Sequence, residues 1–171
     1  ENPWDWLRFG TQQITKTRLR YHGGLHSGFE FIPKCIRQLL IQTVVKYGID
    51  LTRTSNAWND FAALGKEAAE LKKLGMDTVM NLIYSISPKH TDEYFIERAS
   101  AAAKLDVARI CFKDPGGLLT PESTRRLVPL IRREAKDKPV EFHTHCNTGL
   151  GALCCLEAIK LGISSVNTAI P

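Results

Sequence analysis

The 171-residue chain has no apolar run approaching the roughly 18 residues that a membrane-crossing helix requires. Its first residues, Glu1-Asn2-Pro3-Trp4-Asp5-Trp6, contain no basic segment followed by an apolar core, so they do not read as a secretory leader. They also lack an initiator methionine, and the chain is expected to begin inside a longer one. No Gly-x-Gly-x-x-Gly follows the first strand and no Gly-x-x-x-x-Gly-Lys-Ser/Thr occurs, which weakens nucleotide-binding readings. Basic residues interleaved with aromatics are missing too. Arg125-Arg126 and Arg132-Arg133 recur at helical spacing as a solvated face, and a net charge of +5 is mild, so no nucleic-acid partner is expected. The five cysteines are odd in number and sit within apparent helices and strands, which predicts reduced thiols in a cytoplasmic or mitochondrial-matrix setting. There is no linker, low-complexity tract or charge block. With 43% hydrophobic and 24% charged residues, the composition is that of one domain with one core.

The most informative stretch present is Val140-Glu141-Phe142-His143-Thr144-His145-Cys146-Asn147-Thr148-Gly149. A strand repeats its side-chain direction every two residues, so Glu141, His143 and His145 share a face. Two imidazoles on one face at a strand end, followed by a loop, suit a metal site. The alternative is a pair of core histidines satisfied by backbone carbonyls.

Short runs rich in apolar and β-branched residues predict strands at Thr17–His22, Ile49–Asn56, Asp77–Ser85, Val107–Lys113, Val140–Cys146 and Ser164–Ala169. Helical spacing marks Phe61–Leu74, Thr91–Leu105, Glu122–Lys136 and Gly149–Leu161 between them. Gly48, Gly75 and Gly162 fall where helices end. Thr120-Pro121 reads as an N-cap with proline at the first helical position, and Ser123 stands where a capping box would have Glu or Gln. Repeated βα steps build either an open doubly wound sheet or a closed barrel. Polar residues end nearly every strand: His22, Thr54-Ser55-Asn56, Tyr84-Ser85, Lys113-Asp114 and His143/His145. An open sheet concentrates its site at one switch point, whereas a barrel feeds it from many strand ends. The prediction is therefore an α/β fold, a (β/α)8 TIM barrel of which this chain carries roughly strands 3 to 8. Two βα units are expected before Glu1, and the barrel's end after Pro171.

Ile110-Cys111-Phe112-Lys113-Asp114-Pro115-Gly116-Gly117-Leu118-Leu119-Thr120-Pro121 resembles the "KDMAGLLTP" signature of the carboxyltransferase domains of biotin-dependent carboxylases and decarboxylases. His143-Thr144-His145-Cys146-Asn147-Thr148-Gly149 is similar to their "HTHDTSG". Glu1-Asn2-Pro3-Trp4, Gly48-Ile49-Asp50 with Asn59-Asp60, and Tyr84-Ser85-Ile86-Ser87-Pro88-Lys89-His90-Thr91 resemble further family segments in the same order. The resemblance covers essentially the whole chain. It implies a carboxyltransferase domain over residues 1–171, partial at both ends. It also implies carboxyl transfer to or from a 2-oxo acid of the pyruvate or oxaloacetate type, through a metal-stabilised enolate, with carboxybiotin as co-substrate. The expected partners are a biotin carboxyl carrier domain or protein, a small 2-oxo acid and further copies of the chain. His143 and His145 inherit the role of ligands to a divalent metal (Zn, Mn or Co). Lys113 inherits that of a carbamylated ligand, and Lys113 and Asp114 fall among the catalytic groups. A simpler reading makes Lys113 and Asp114 a polar pair at a strand end.

Departures from the family concern the substrate. Where relatives read Arg-Gly-Ala/Gln-Asn after the third strand, this chain reads His22-Gly23-Gly24-Leu25, so His22, with Arg20 two residues earlier on the same face, becomes the candidate for substrate binding. Asn56 replaces an acidic residue and joins them. Where relatives read "HDTSG" this chain reads His145-Cys146-Asn147-Thr148-Gly149, a second lost carboxylate, and Cys146 should point away from the metal. Two other functions stay open: a biotin-independent metal-dependent lyase or aldol-type enzyme like 3-hydroxy-3-methylglutaryl-CoA lyase, and a non-catalytic assembly subunit.

Overall fold

The computed structural model describes residues 2–23 and 32–169. Strands β1 (Arg20–His22), β2 (Leu51–Thr54), β3 (Asp77–Ile83), β4 (Arg109–Asp114) and β5 (Val140–Thr144) form one sheet in sequence order, with every neighbouring pair parallel. Helices α1 (Pro3–Gln13), α2 (Lys34–Lys46), α3 (Phe61–Lys73), α4 (Asp92–Ala103), α5 (Pro121–Ala135) and α6 (Gly151–Lys160) precede, separate or follow the strands. A parallel sheet of this kind is covered on both faces, which explains why β2 and most of β3 read as unbroken buried runs rather than as an alternation.

One face of the sheet packs on α3 to α6. Met80, Leu82, Ile110, Phe112 and Phe142 meet Leu64, Ala68, Phe95, Ala99, Leu127 and Ile131 there, with Phe112 at the centre of a run of edge-on aromatic contacts. The other face carries Leu51, Val79 and Cys111 together with the polar side chains Arg53, Asn81 and Glu141, all buried. That face is concave. Strands β1 and β5 lie four strand spacings apart, about 19 Å if the sheet were flat, yet Arg20 on β1 bonds Glu141 on β5 at 2.6 Å. Only a sheet rolled into a partial barrel brings these two residues together.

The cap signals operate as the sequence predicts. Thr120 accepts from the Ser123 amide at 3.1 Å while Ser123 Oγ accepts from the Thr120 amide at 2.9 Å, so serine completes the box that Glu or Gln usually completes. Asp60 caps α3 by accepting from the amides of Ala62 and Ala63. Gly48, Gly75 and Gly162 all have positive φ after their helices.

One expectation needs correction. The segment Ser164–Ala169 forms a single parallel bridge, Phe142 to Val166, rather than a strand. The Phe142 amide donates to the Ser165 carbonyl and the Phe142 carbonyl accepts from Asn167, and among the described residues no further strand lies beyond it to extend a ladder. Helices α1 and α2 were not legible. Ile41 and Val44 of α2 join Ile49, Leu71 and Met76 in a second core cluster, with Trp4 and Leu7 of α1 and Leu40 and Val45 of α2 packed against it.

At the foot of the sheet Arg18 joins three segments. Its guanidinium bonds the Asp50 carboxylate at 2.8 Å, the Asp50 carbonyl at 3.3 Å and the Asp77 carboxylate at 3.0 Å. The hydrogen bond from Arg18, against a smaller burial effect, holds the Asp50 carboxyl below its ordinary range. A depressed carboxylate stabilises the fold above its unfolded-state pKa and loses that contribution as pH falls through its folded-state pKa. Replacing Arg18 with Met should lower stability at pH 7 by less than about 1 kcal/mol, as suits a solvent-screened cluster. Urea titrations should show the wild type and the variant converging once the pH drops below the carboxylate range.

Candidate functional site

The strand register brings the sequence-predicted residues to one end of the concave face. Lys113 pairs with His143 across β4 and β5, and His22 pairs with Arg53 across β1 and β2. His143 and His145 share a face, with ring centroids 5.1 Å apart. His145 lies one residue past β5, but its amide still donates to the Asp114 carbonyl at 3.0 Å, so the strand direction persists through it. Cys146 is exposed and takes no part in the cluster. Burial, with the positive charges of Arg53, Lys113 and His145 acting against a hydrogen bond to Asn167, pushes the His143 pKa down to about 4. His143 is therefore neutral near pH 7, the form in which imidazole binds a cation. Burial and the Arg53 charge also lower the Lys113 pKa, against an opposing effect from Cys111. Lys113 forms no ion pair with any described residue.

Lys113 and Asp114 point to opposite sides of β4, so they do not form the simple polar pair. Asp114 faces outward and is buried, accepting from the Leu119 amide at 2.8 Å and the Thr144 hydroxyl at 3.0 Å. It fixes the loop between β4 and α5. Asn56 likewise uses its side-chain oxygen within its own loop, accepting from the Asp60 amide at 2.9 Å. Arg20 is engaged by both Glu141 oxygens at 2.6 and 3.0 Å, so its fork is already filled. His22 stands at the exposed edge of the cluster, its pKa lowered by partial desolvation and then by the charges of Lys113, Arg53 and Arg20. Gly24 and Leu25, which complete the substituted motif, lie outside the described residues.

Three residues that the sequence did not single out as functional hold this cluster in place. Arg53 is buried between Glu141, which its Nη2 meets at 2.5 Å, and Asn167, and its Nη1 lies 3.4 Å from His143 Nδ1. Glu141 receives both Arg20 and Arg53. Burial opposes its ionisation, but the two guanidiniums outweigh burial and hold its carboxyl below the ordinary range. Asn167 Oδ1 lies 3.0 Å from His143 Nδ1. Arg53 could have been suspected from the alternation Leu51–Arg53, which puts a charged residue on a buried strand. Asn167 gave no signal, since its relation to His143 exists only in three dimensions.

Two loops carrying the cluster are fastened together. Thr148 donates to the Gly117 carbonyl at 2.7 Å and Asn147 to the Gly116 carbonyl at 3.3 Å. Gly117 has φ +64°, and a Cβ there would stand 2.7 Å from the His145 carbonyl oxygen. Only glycine allows this approach.

The donors suit a divalent cation. His143 Nε2 is buried with no hydrogen-bond partner among the described residues, while its Nδ1 lies 3.0 Å from Asn167 Oδ1. Among the described residues no three His, Cys, Asp or Glu side chains converge. The available set is thus the two imidazoles, with Lys113 in register beside them.

The charge balance predicts a large cost for one substitution. Removing the Glu141 charge strands two guanidiniums, that of Arg53 in a buried position, so Glu141→Gln should destabilise the protein by about 3–5 kcal/mol. Denaturant unfolding measures this, and a loss under about 1 kcal/mol would mean that the arginines do not depend on Glu141.

The HMGL-like family model matches residues 41–171. A pyruvate carboxylase subunit of Methanocaldococcus jannaschii is 31% identical over 99% of this chain and 30% of its own length. The methylmalonyl-CoA carboxyltransferase 5S subunit of Propionibacterium freudenreichii subsp. shermanii is 27% identical over 99% of the chain and 34% of its own length. The carboxyl transferase domain of Rhizobium etli pyruvate carboxylase, solved with pyruvate, superposes with a TM-score of 0.86 at 25% identity, covering 99% of this chain and 30% of that one. The chain therefore spans about a third or less of the length of these relatives, and its rolled parallel sheet corresponds to part of their TIM barrel. By the match over residues 41–171, this chain belongs to the HMGL-like family.

Proposed function

We propose that this chain supplies one side of a metal-dependent carboxyl-transfer site, in a protein that moves a carboxyl group between carboxybiotin and a 2-oxo acid. The observation that carries this reading is the buried Nε2 of a neutral, half-buried His143, without a hydrogen-bond partner among the described residues, beside His145 and Lys113 at the mouth of a partial barrel. The kinship with an archaeal pyruvate carboxylase subunit and a bacterial carboxyltransferase subunit supports it. On this reading residues 1–171 are part of a carboxyltransferase domain that meets a biotin carrier and assembles with further copies.

A divalent cation held by His143 and His145 would supply Lewis acidity toward the carbonyl of the 2-oxo acid, favouring its enolate form. The chain's own residues do the rest. Burial and the Arg53 charge favour the neutral amine of Lys113, which can attack CO2. A C–N bond would form as one C–O π pair of CO2 moves onto oxygen, the nitrogen would give up a proton to solvent, and the resulting carbamate would offer a carboxylate oxygen as a further ligand. Asp114 keeps the adjoining loop closed over this strand end. The concave face carries the cations of Arg20 and Arg53 against the carboxylate of Glu141, which favours an anionic substrate. Both arginines are committed to protein acceptors, so His22 is left to meet the substrate's carboxylate.

His143→Ala should abolish stoichiometric metal content in elemental analysis, and unchanged content would overturn the site. Lys113→Arg should lose metal and activity, because arginine keeps its charge and forms no carbamate. Trapping with 13CO2 should add mass at Lys113 in the wild type alone, and full activity of Lys113→Arg would refute carbamylation.

Substrate choice gives a separate test. Without a free arginine fork the protein should turn over pyruvate and oxaloacetate poorly, since paired charge-assisted hydrogen bonds are the strong ones. His22→Arg should raise kcat/KM for 2-oxo acids. Efficient wild-type turnover of pyruvate, unimproved by His22→Arg, would show that recognition does not run through this edge. A second reading, a biotin-independent lyase, draws on the HMGL-like family match itself. An Ala/Val-Met-Lys-Met biotinyl motif in the same protein or a partner would argue against it.

A further inference from the structure

We infer that Asn167 is a positioning residue that fixes the tautomer of His143, and that its own orientation is set by Arg53 and Glu141. The inference rests on the reading of His143 as a metal ligand but concerns a property that the protein has without metal.

The chain of constraints starts at Glu141. Its Oε1 accepts from Arg53 Nη2 at 2.5 Å, and Arg20 bonds both of its oxygens from the other side. A guanidinium Nη2 carries two hydrogens. One goes to Glu141 and the other to Asn167 Oδ1, which Nη2 also contacts. Arg53 only donates, so the atom of Asn167 facing it must be the carbonyl oxygen. Turning the amide over would set its NH2 group against the guanidinium, donor to donor.

With Oδ1 so placed, His143 is determined. Asn167 Oδ1 lies 3.0 Å from Nδ1 and only accepts, so Nδ1 carries the proton. The competing arrangement has Arg53 Nη1 donating to an unprotonated Nδ1. That contact is longer, at 3.4 Å, and would leave two lone pairs facing each other across the shorter one. Protonation at Nδ1 leaves the lone pair on Nε2, the buried atom without a partner among the described residues. A second group that accepts from the distal ring nitrogen both orients a ligating histidine and raises its basicity. Asn167 is held for this task by its backbone as well, since its amide donates to the Phe142 carbonyl, one residue before His143.

The test uses protein labelled with 15N-histidine at pH 7.5 without metal, with the His143 signals assigned from the spectrum of His143→Gln. The wild type should show a protonated Nδ1 and an unprotonated Nε2. Asn167→Leu should shift His143 toward the Nε2–H form and weaken Zn2+ binding, titrated calorimetrically, by about 10–100-fold. Asn167→Asp retains an oxygen acceptor and should keep the wild-type tautomer, which a purely structural role for the amide would not require. An Nε2–H tautomer in the wild type, or an unchanged Nδ1–H tautomer in Asn167→Leu, overturns the inference whatever the metal does. Failure of the wild type to bind Zn2+, Mn2+ or Co2+ while the tautomers behave as stated overturns the metal reading alone and supports the role of Asn167.

Discussion

The ion cluster of Arg20, Glu141 and Arg53 is the constraint on which the rest depends. Its members come from the first, second and fifth strands, so it records the curvature of the sheet and tethers that curvature electrostatically. Two guanidiniums on one carboxylate are costly to desolvate, and such a cluster returns that cost only where geometry and additional hydrogen bonds are good. Here Glu141 has both oxygens engaged, and Arg53 Nη2 also donates to Asn167. The polar groups that shape the barrel interior are thus the same groups that surround the candidate ligand.

Much of the fold was legible in local sequence. Alternation in Glu141-Phe142-His143 separates a polar face from Phe142 in the helix-facing core, and the structure has that division. Caps at Thr120 and Asp60 and the glycines after helices are satisfied within a few residues, which is why short stretches of sequence carry them. The segment Ser164–Ala169 looked like a strand because its composition is apolar and β-branched, but a strand is completed by neighbours, and only one side of this one is met. Helices α1 and α2 were missed, although Leu40, Ile41, Val44 and Val45 recur at helical spacing along α2.

The site was legible in its donors and not in its supports. His143 and His145 announced themselves by spacing, and Lys113 by motif. Arg53 and Asn167 lie 90 and 24 residues from His143 in sequence, and nothing in their neighbours predicts the contact. Asp114 and Asn56 show the reverse limit. Both stand at strand ends, where functional polar groups collect, but the structure gives each a bond within or beside its own loop. A polar residue at a strand end can be holding the loop or facing the lumen, and the parity of a single position along the strand decides which.

The loop after β4 and the loop after β5 meet at Gly117, Thr148 and the His145 carbonyl, with no room between them for one methyl group. Mechanically they are one piece. A similar strut runs from Asn59, in the loop after β2, whose side chain bonds both the amide and the carbonyl of Ile83 at the end of β3. Substitutions within either tied pair should therefore combine non-additively, because the second change acts on a neighbour that the first has already moved. For anyone reshaping this rim, the unit of change is the tied pair of loops, and insertions tolerated in one loop alone will be few.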